Sequence, residues 1–195
     1  MTTENPTRVR LRGVRVDWPT LYKGQQFNGE GKFRCGATLI VPAGDPQHKA
    51  LDAAISAAAD LKWKDKAKST LKAARAKDKV CLRDGEMKAH LDGYAGVFYL
   101  SANCAGGDTE AECAKPQVLD AQLQIVSDPR QCRIYRGCYV NALVDVYADS
   151  RFGDGVFATL VGVQFARDGA AFGTAPIAEG DFEAITEGAD AGDLL

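Results

Sequence analysis

The chain has 195 residues, of which 46% are hydrophobic and 26% charged, a balance that fits one globular domain with appendages. No apolar run approaches the roughly 20 residues of a membrane helix, and the first twelve residues carry no secretory apolar stretch, so the sequence predicts a cytosolic protein with no membrane partner. All 24 Lys and Arg lie at or before Arg167 against 19 of the 26 Asp and Glu, which leaves residues 1–167 at +5 and residues 168–195 at −7.

The first strand is predicted over residues 7–17, where Arg8, Arg10 and Arg12 alternate with Val9 and Leu11. Gly13 breaks the alternation as a bulge would, Val14 and Val16 resume it, and Pro19 is expected to end the strand. Residues 22–32 read as a Gly-, Gln- and Asn-rich loop, and residues 33–41 as a second strand with Phe33, Cys35, Ala37, Leu39 and Val41 on one face. Asp45 and Pro46 open a helix with Leu51, Ala54, Ile55, Ala58 and Leu61 on its apolar stripe. A second, Lys-rich helix follows over 65–77, so the helical insertion spans about 46–77. Further strands are predicted at 94–103, 117–119, 134–148 and 155–167. Asp-Gly pairs punctuate this half, and Asp154-Gly155 is expected to make the hairpin between the two longest strands. Several strands around one helical insertion predict a mostly β protein, a small antiparallel barrel over residues 1–175. A flexible acidic tail is expected over 176–195.

Signatures of catalysis are missing. The chain has no phosphate-binding P-loop, no nucleophile elbow, no H-E-x-x-H and no dinucleotide fingerprint, which argues against an enzyme and against a cofactor. Six cysteines without an export signal read as reduced thiols. Cys35 and Cys138 suit core positions. Cys104, Cys113 and Cys132 lack the C-x-x-C spacing of a zinc site, so no metal is expected.

The strand over 134–148 carries the chemistry. Cys138, Val140, Ala142, Val144 and Val146 form its core face, and Tyr135, Tyr139 and Tyr147 share the opposite one, with Arg133 and Arg136 beside the first tyrosine. Exposed rings edged by cations suit unpaired bases, because every base has a π-face and Lys or Arg can take the phosphates. Packing of the same tyrosines under a helix or loop is the competing reading. Arg8, Arg10, Arg12, Trp18, Tyr22, Lys23, Lys32, Arg34, Tyr99, Lys115, Arg151 and Phe152 are candidates for the same surface. The Lys-rich helix leaves duplex DNA open as a second partner, and a tyrosine face would also suit a homo-oligomer, cooperative assembly on DNA or a non-enzymatic assembly or interaction protein.

Several segments together resemble the bacteriophage single-stranded-DNA-binding protein family. They are Val16-Asp17-Trp18-Pro19 through to Phe27, Lys32-Phe33-Arg34 leading into residues 37–42, Leu82-Arg83-Asp84-Gly85, residues 93–102, Lys115-Pro116-Gln117-Val118, the run Ile134-Tyr135-Arg136-Gly137-Cys138-Tyr139-Val140-Asn141, the strand over 155–165, and Asp168-Gly169. The resemblance implies an OB-fold Greek-key barrel that coats single strands during phage DNA replication, recombination and repair, in the host cytoplasm. It also implies that Glu179, Asp181, Glu183, Glu187, Asp190 and Asp193 engage phage or host replication and recombination proteins. Two departures stand out: Lys115 takes the place of an arginine common in the family, and the chain ends Asp193-Leu194-Leu195 with no aromatic residue.

Overall fold

The computed structural model describes residues 5–173; the acidic residues at 179–193 and the expected boundary at 175 lie outside the described residues. In chain order the elements are β1 (Arg8–Phe27), β2 (Glu30–Pro42), α1 (Pro46–Trp63), α2 (Ala67–Ala76), β3 (Leu82–Asp84), β4 (Val97–Asn103), β5 (Gln117–Leu119), β6 (Tyr139–Asp149) and β7 (Gly155–Arg167).

β1 is longer than the alternation predicts, because a bulge absorbs Pro19. Its first half pairs with β6, from Arg8↔Asp145 to Arg15↔Tyr139, and its second half pairs with β2. Gly13 sits at φ +59, where the register slips between Leu11 and Val14, so Val9, Leu11, Val14 and Val16 all face inward. A second slip between Asp17 and Thr20 gives the proline no ladder bond to break. The expected loop over 22–32 is instead the tip of the β1–β2 hairpin. Asn28 (φ +52) and Gly29 (φ +77) form its two-residue turn between the paired Phe27 and Glu30.

The sheet runs β3-β4-β2-β1-β6-β7-β5, and a parallel contact of Ala102 on β4 with Ala158 on β7 closes it. Five strands (β1, β2, β4, β7 and β6) make the barrel, antiparallel except at that closure. β3 and β5 add short flaps, and β5 runs parallel to β7. The connectivity is that of an OB-type Greek-key barrel. Inside, Leu11, Leu39, Leu100, Val144 and Leu160 meet Leu51 and Ile55 of α1, all buried. Removing such a side chain from water is worth about 1.5–3 kcal/mol each, so α1 is held on by its apolar stripe. Asp45 caps it, accepting from the Gln47 N–H at 2.8 Å. Leu61 is exposed, contrary to the predicted stripe, which ends at Ala59.

β6 begins later than predicted. Gly137, at φ +99, turns the chain just before it, so Tyr135 is no member of the strand. The Asp154-Gly155 pair does not itself make the turn. Ser150 to Asp154 form a five-residue loop, and Gly153, at φ +90, supplies the left-handed residue.

Candidate nucleic-acid interface

On β2 the core takes Cys35, Ala37, Leu39 and Val41, so Arg34, Gly36 and Thr38 turn outward; on β4 the outward residues are Tyr99, Ser101 and Asn103. The two rows divide this outer face. One half is roofed by a small cluster of Ile40, Tyr94, Tyr99 and Phe172. The other half is an open trough of about 920 Å³ that includes Arg34, Thr38, Ser101 and Asn103, with Trp18 and Thr20 of β1 alongside. Phe27 and Lys32 edge it at the hairpin, and Lys88 closes the far side.

Trp18 is 54% exposed and Phe27 84% exposed, so both rings are available to a ligand. Trp18 is also held in place. Its backbone takes φ +48, and its N–H donates to Asp17 Oδ1 at 2.9 Å. Asp17 is fully buried and accepts two further bonds, from Arg136 Nε at 2.6 Å and from the Tyr94 hydroxyl at 2.8 Å. Burial pushes the Tyr94 phenol above its ordinary range, and its bond to Asp17 pushes it further. The guanidinium fixed by that carboxylate lies 3.8 Å from the centre of the Trp18 ring. One carboxylate therefore orients both a ring and a cation at the trough's edge.

Arg136 also borders a second cleft of about 800 Å³, shared with Arg133, Tyr135, Phe165, Asp168 and Phe172. The Tyr135 hydroxyl is tied down there, at 2.9 Å from Asp168 Oδ1 and 3.0 Å from the Gly169 carbonyl. Trough and cleft meet at the Trp18–Arg136 stack.

The structure thus gathers Trp18, Lys32, Arg34, Arg133, Tyr135 and Arg136 of the expected residues into one continuous surface. Others it separates. Tyr99 is 3% exposed and packs on Tyr94, which corrects its expected place on the binding face. Tyr22 is half-buried; its hydroxyl donates to the Cys132 carbonyl at 3.0 Å, and burial pushes its pKa up to about 12. Tyr139 lies under the Arg167 guanidinium, 3.4 Å from its ring centre, with Arg15 also over the ring. Arg8 is spent on Asp145 in a bidentate pair at 2.7 Å, and Arg151 on Asp149. Arg10 and Arg12 border a different groove with Leu143 and Gly162. Lys23 pairs with Glu110 at 3.4 Å, whereas Lys32 stays on the trough with an exposed pair to Asp108 at 3.6 Å. Lys115 is exposed on the loop before β5, and Phe152 is 91% exposed at the β6–β7 loop.

Asp17, Phe27 and Lys88 were not among the expected site residues, although Asp17 and Phe27 fall in the segment 16–27 that carries the family resemblance. An aromatic residue directly before Asn28-Gly29 was the available signal for Phe27. The role of Asp17 had no local signal beyond that segment, because its partners Tyr94 and Arg136 are 77 and 119 residues away.

The six thiols are free and buried. Burial raises Cys35 and Cys81 to about 12 and Cys104 to about 11, far from thiolate chemistry at neutral pH. Cys104 donates to the Leu160 carbonyl and Cys113 to the Glu110 carbonyl, while Cys132 faces Leu119, so the three do not converge. Among the described residues no cluster of His, Cys, Asp and Glu has the form of a metal site, and no helix is long and apolar enough to cross a membrane.

A closed Greek-key barrel with an open aromatic and cationic trough on its second and third strands defines an OB-type barrel protein. The chain belongs to the family of the Enterobacter phage Enc34 ssDNA-binding protein, whose family model matches residues 7–195. It is 35% identical over 186 residues to putative protein p50 of Acyrthosiphon pisum secondary endosymbiont phage 1, covering 92% of this chain and 96% of that protein. Among solved structures, it resembles the single-stranded DNA-binding protein from bacteriophage Enc34 in complex with ssDNA. That likeness has a TM-score of 0.70 at 22% identity, over 86% of this chain and 90% of the other. It also resembles gp2.5, a single-stranded DNA binding protein encoded by bacteriophage T7, with a TM-score of 0.55 at 14% identity over 87% and 95%.

Proposed function

We propose that this protein binds single-stranded DNA, independently of sequence, and coats it during phage DNA replication, recombination and repair. The strand lies in the trough over β2 and β4, the face that OB barrels offer to oligonucleotides. The observation that carries this reading is the exposed Trp18 ring, fixed by Asp17 and Arg136 at the edge of a trough that also holds Arg34. Bases stack on Trp18 and Phe27, a contact indifferent to base identity. Arg34 takes a phosphate outright, Lys32 takes one by releasing its exposed 3.6 Å pair with Asp108, and Arg136, bonded to Asp17 through Nε, offers its remaining nitrogens where the path continues into the cleft beside Tyr135. Family membership supports the same substrate.

The experiment is a titration of labelled oligo(dT) with wild type and Trp18→Ala, at several salt concentrations. Wild type binds with an affinity that falls steeply with salt, and the variant binds roughly 5- to 150-fold more weakly, the range of about 1–3 kcal/mol per stacked base. Unchanged affinity in a folded variant contradicts the assignment of the strand to the trough. We further propose that residues 1–175 form the binding domain and that 176–195 form an acidic arm that competes with DNA for the basic body and engages replication proteins. Deleting residues 179–195 then tightens oligo(dT) binding.

A further inference from the structure

Lys88 is a wall with two sides. One faces the trough; the other faces a pocket of about 550 Å³ between the helical insertion and β3–β4. Its apolar lining comes from Val80, Leu82 and Phe98, with the His48 ring tilted against Phe98 at 4.1 Å between ring centres. Arg75, Arg83 and Lys88 stand around it, with Asp78 and Asp84 as its acids. Arg75 is held by Asp52 at 2.8 Å. Arg83 is held only through Nη2, which donates to the Asp78 carbonyl at 2.9 Å. Its Nε is buried, and among the described residues it has no hydrogen-bond partner. The guanidinium is therefore under-satisfied within the fold, and Nη1, which makes no hydrogen bond among the described residues, is the donor left for an anion entering the pocket. Lys88 Nζ lies 4.6 Å from the centre of the Tyr99 ring, and no carboxylate of the described residues pairs with it.

We propose that this pocket is a second nucleotide station on the same strand. It rests on the single-strand reading above and extends it. After crossing the trough the strand passes over Lys88 and sets a phosphate between Lys88 and the free edge of Arg83, with the attached base over the His48–Phe98 surface. The station adds length to the site, so it acts on long strands and not on short ones. A free nucleotide offers the same phosphate and base, and the test separates the two sources.

The measurement is fluorescence anisotropy with oligo(dT) of about 4 and about 16 nucleotides, the range of site sizes OB barrels use. Arg83→Gln weakens the longer oligomer several-fold and leaves the shorter one unchanged. The slope of log affinity against log salt for the longer oligomer becomes shallower by about 0.7, one phosphate contact on a single strand. Met87→Glu serves as a second variant, because Met87 is 72% exposed on the pocket rim and its replacement leaves the core intact. The added carboxylate repels the phosphate and produces the same length-dependent loss. In folded variants, no loss with the longer oligomer, or an equal loss at both lengths, overturns the station. Weaker binding of free thymidine triphosphate with unchanged binding of the longer oligomer assigns the pocket to mononucleotides and overturns it as well. If wild type binds neither oligomer, the single-strand reading itself falls and takes the station with it.

Discussion

Two outer faces of the barrel carry aromatic and basic residues, and they differ in what those residues have left to give. On the β6–β7 face most of these groups are already answered, although Tyr147 and Phe157 keep part of their rings exposed and Arg10 and Arg12 form no ion pair among the described residues. Arg8 grips Asp145, Arg167 covers Tyr139, Tyr147 leans on Phe157, and Asn141 bonds Gln164 at 3.0 Å. On the β2–β4 face Trp18 and Phe27 are open, Arg34 is exposed, and Arg136 is locked by a buried carboxylate into a position that serves the surface. A strand that alternates tyrosine with small apolar residues looks the same in sequence whether its tyrosines are open or covered. Binding capacity resides in groups whose partners are missing or are arranged to display them.

That contrast can be broken most sharply at Asp17. Asp17→Ala leaves the buried Tyr94 hydroxyl unmatched and the part-exposed Arg136 guanidinium unanchored, and is expected to cost about 1–3 kcal/mol of stability, read from urea denaturation. An intact transition midpoint would show that the carboxylate does not organise the trough. Next comes Trp18→Ala against Tyr139→Ala in oligo(dT) titrations. The first loses the stacking contact described above, and the second retains affinity within about twofold, because the Tyr139 ring offers no open face to a base. A smaller effect separates the arginines. Arg34→Ala makes the salt dependence of binding shallower by about 0.7, one phosphate contact, while Arg8→Ala, whose charge is already neutralised, leaves the slope unchanged. Equal slopes for the two variants would erase the distinction between the faces. The smallest effect concerns the hairpin tip: Gly29→Ala, at φ +77, is expected to lower stability by about 1 kcal/mol with little change in affinity, as seen by thermal melting.

Local pattern made much of the barrel legible. β7 runs over Gly155–Arg167 as its composition predicts, the inward rows of β2 and β6 are the alternating apolar sets, and Asp45-Pro46 opens α1. The failures have a common cause in backbone devices and distant partners. The β1 bulge carries the strand through Pro19, Asn28-Gly29 turns what reads as a loop, and Gly137 removes Tyr135 from the tyrosine row. Which aromatic residues stay open depends on contacts that no window of sequence contains. Tyr99 is roofed by Tyr94 and Phe172, and Trp18 is displayed by Arg136, whose bond to Asp17 spans 119 residues. The candidate site was therefore legible as a set of residue types, and only partly as a place.

The most direct test uses Trp18 as its own reporter. The chain has two tryptophans, and Trp63, whose Nε1 donates to Ser150 far along the chain, can be replaced by phenylalanine so that Trp18 alone emits. Titrating Trp63→Phe with oligo(dT) should quench that emission saturably, in step with the anisotropy of a labelled strand, and raising the salt should reverse both signals. A strand that binds by anisotropy while the Trp18 emission stays constant would place the DNA elsewhere on the barrel and contradict the account.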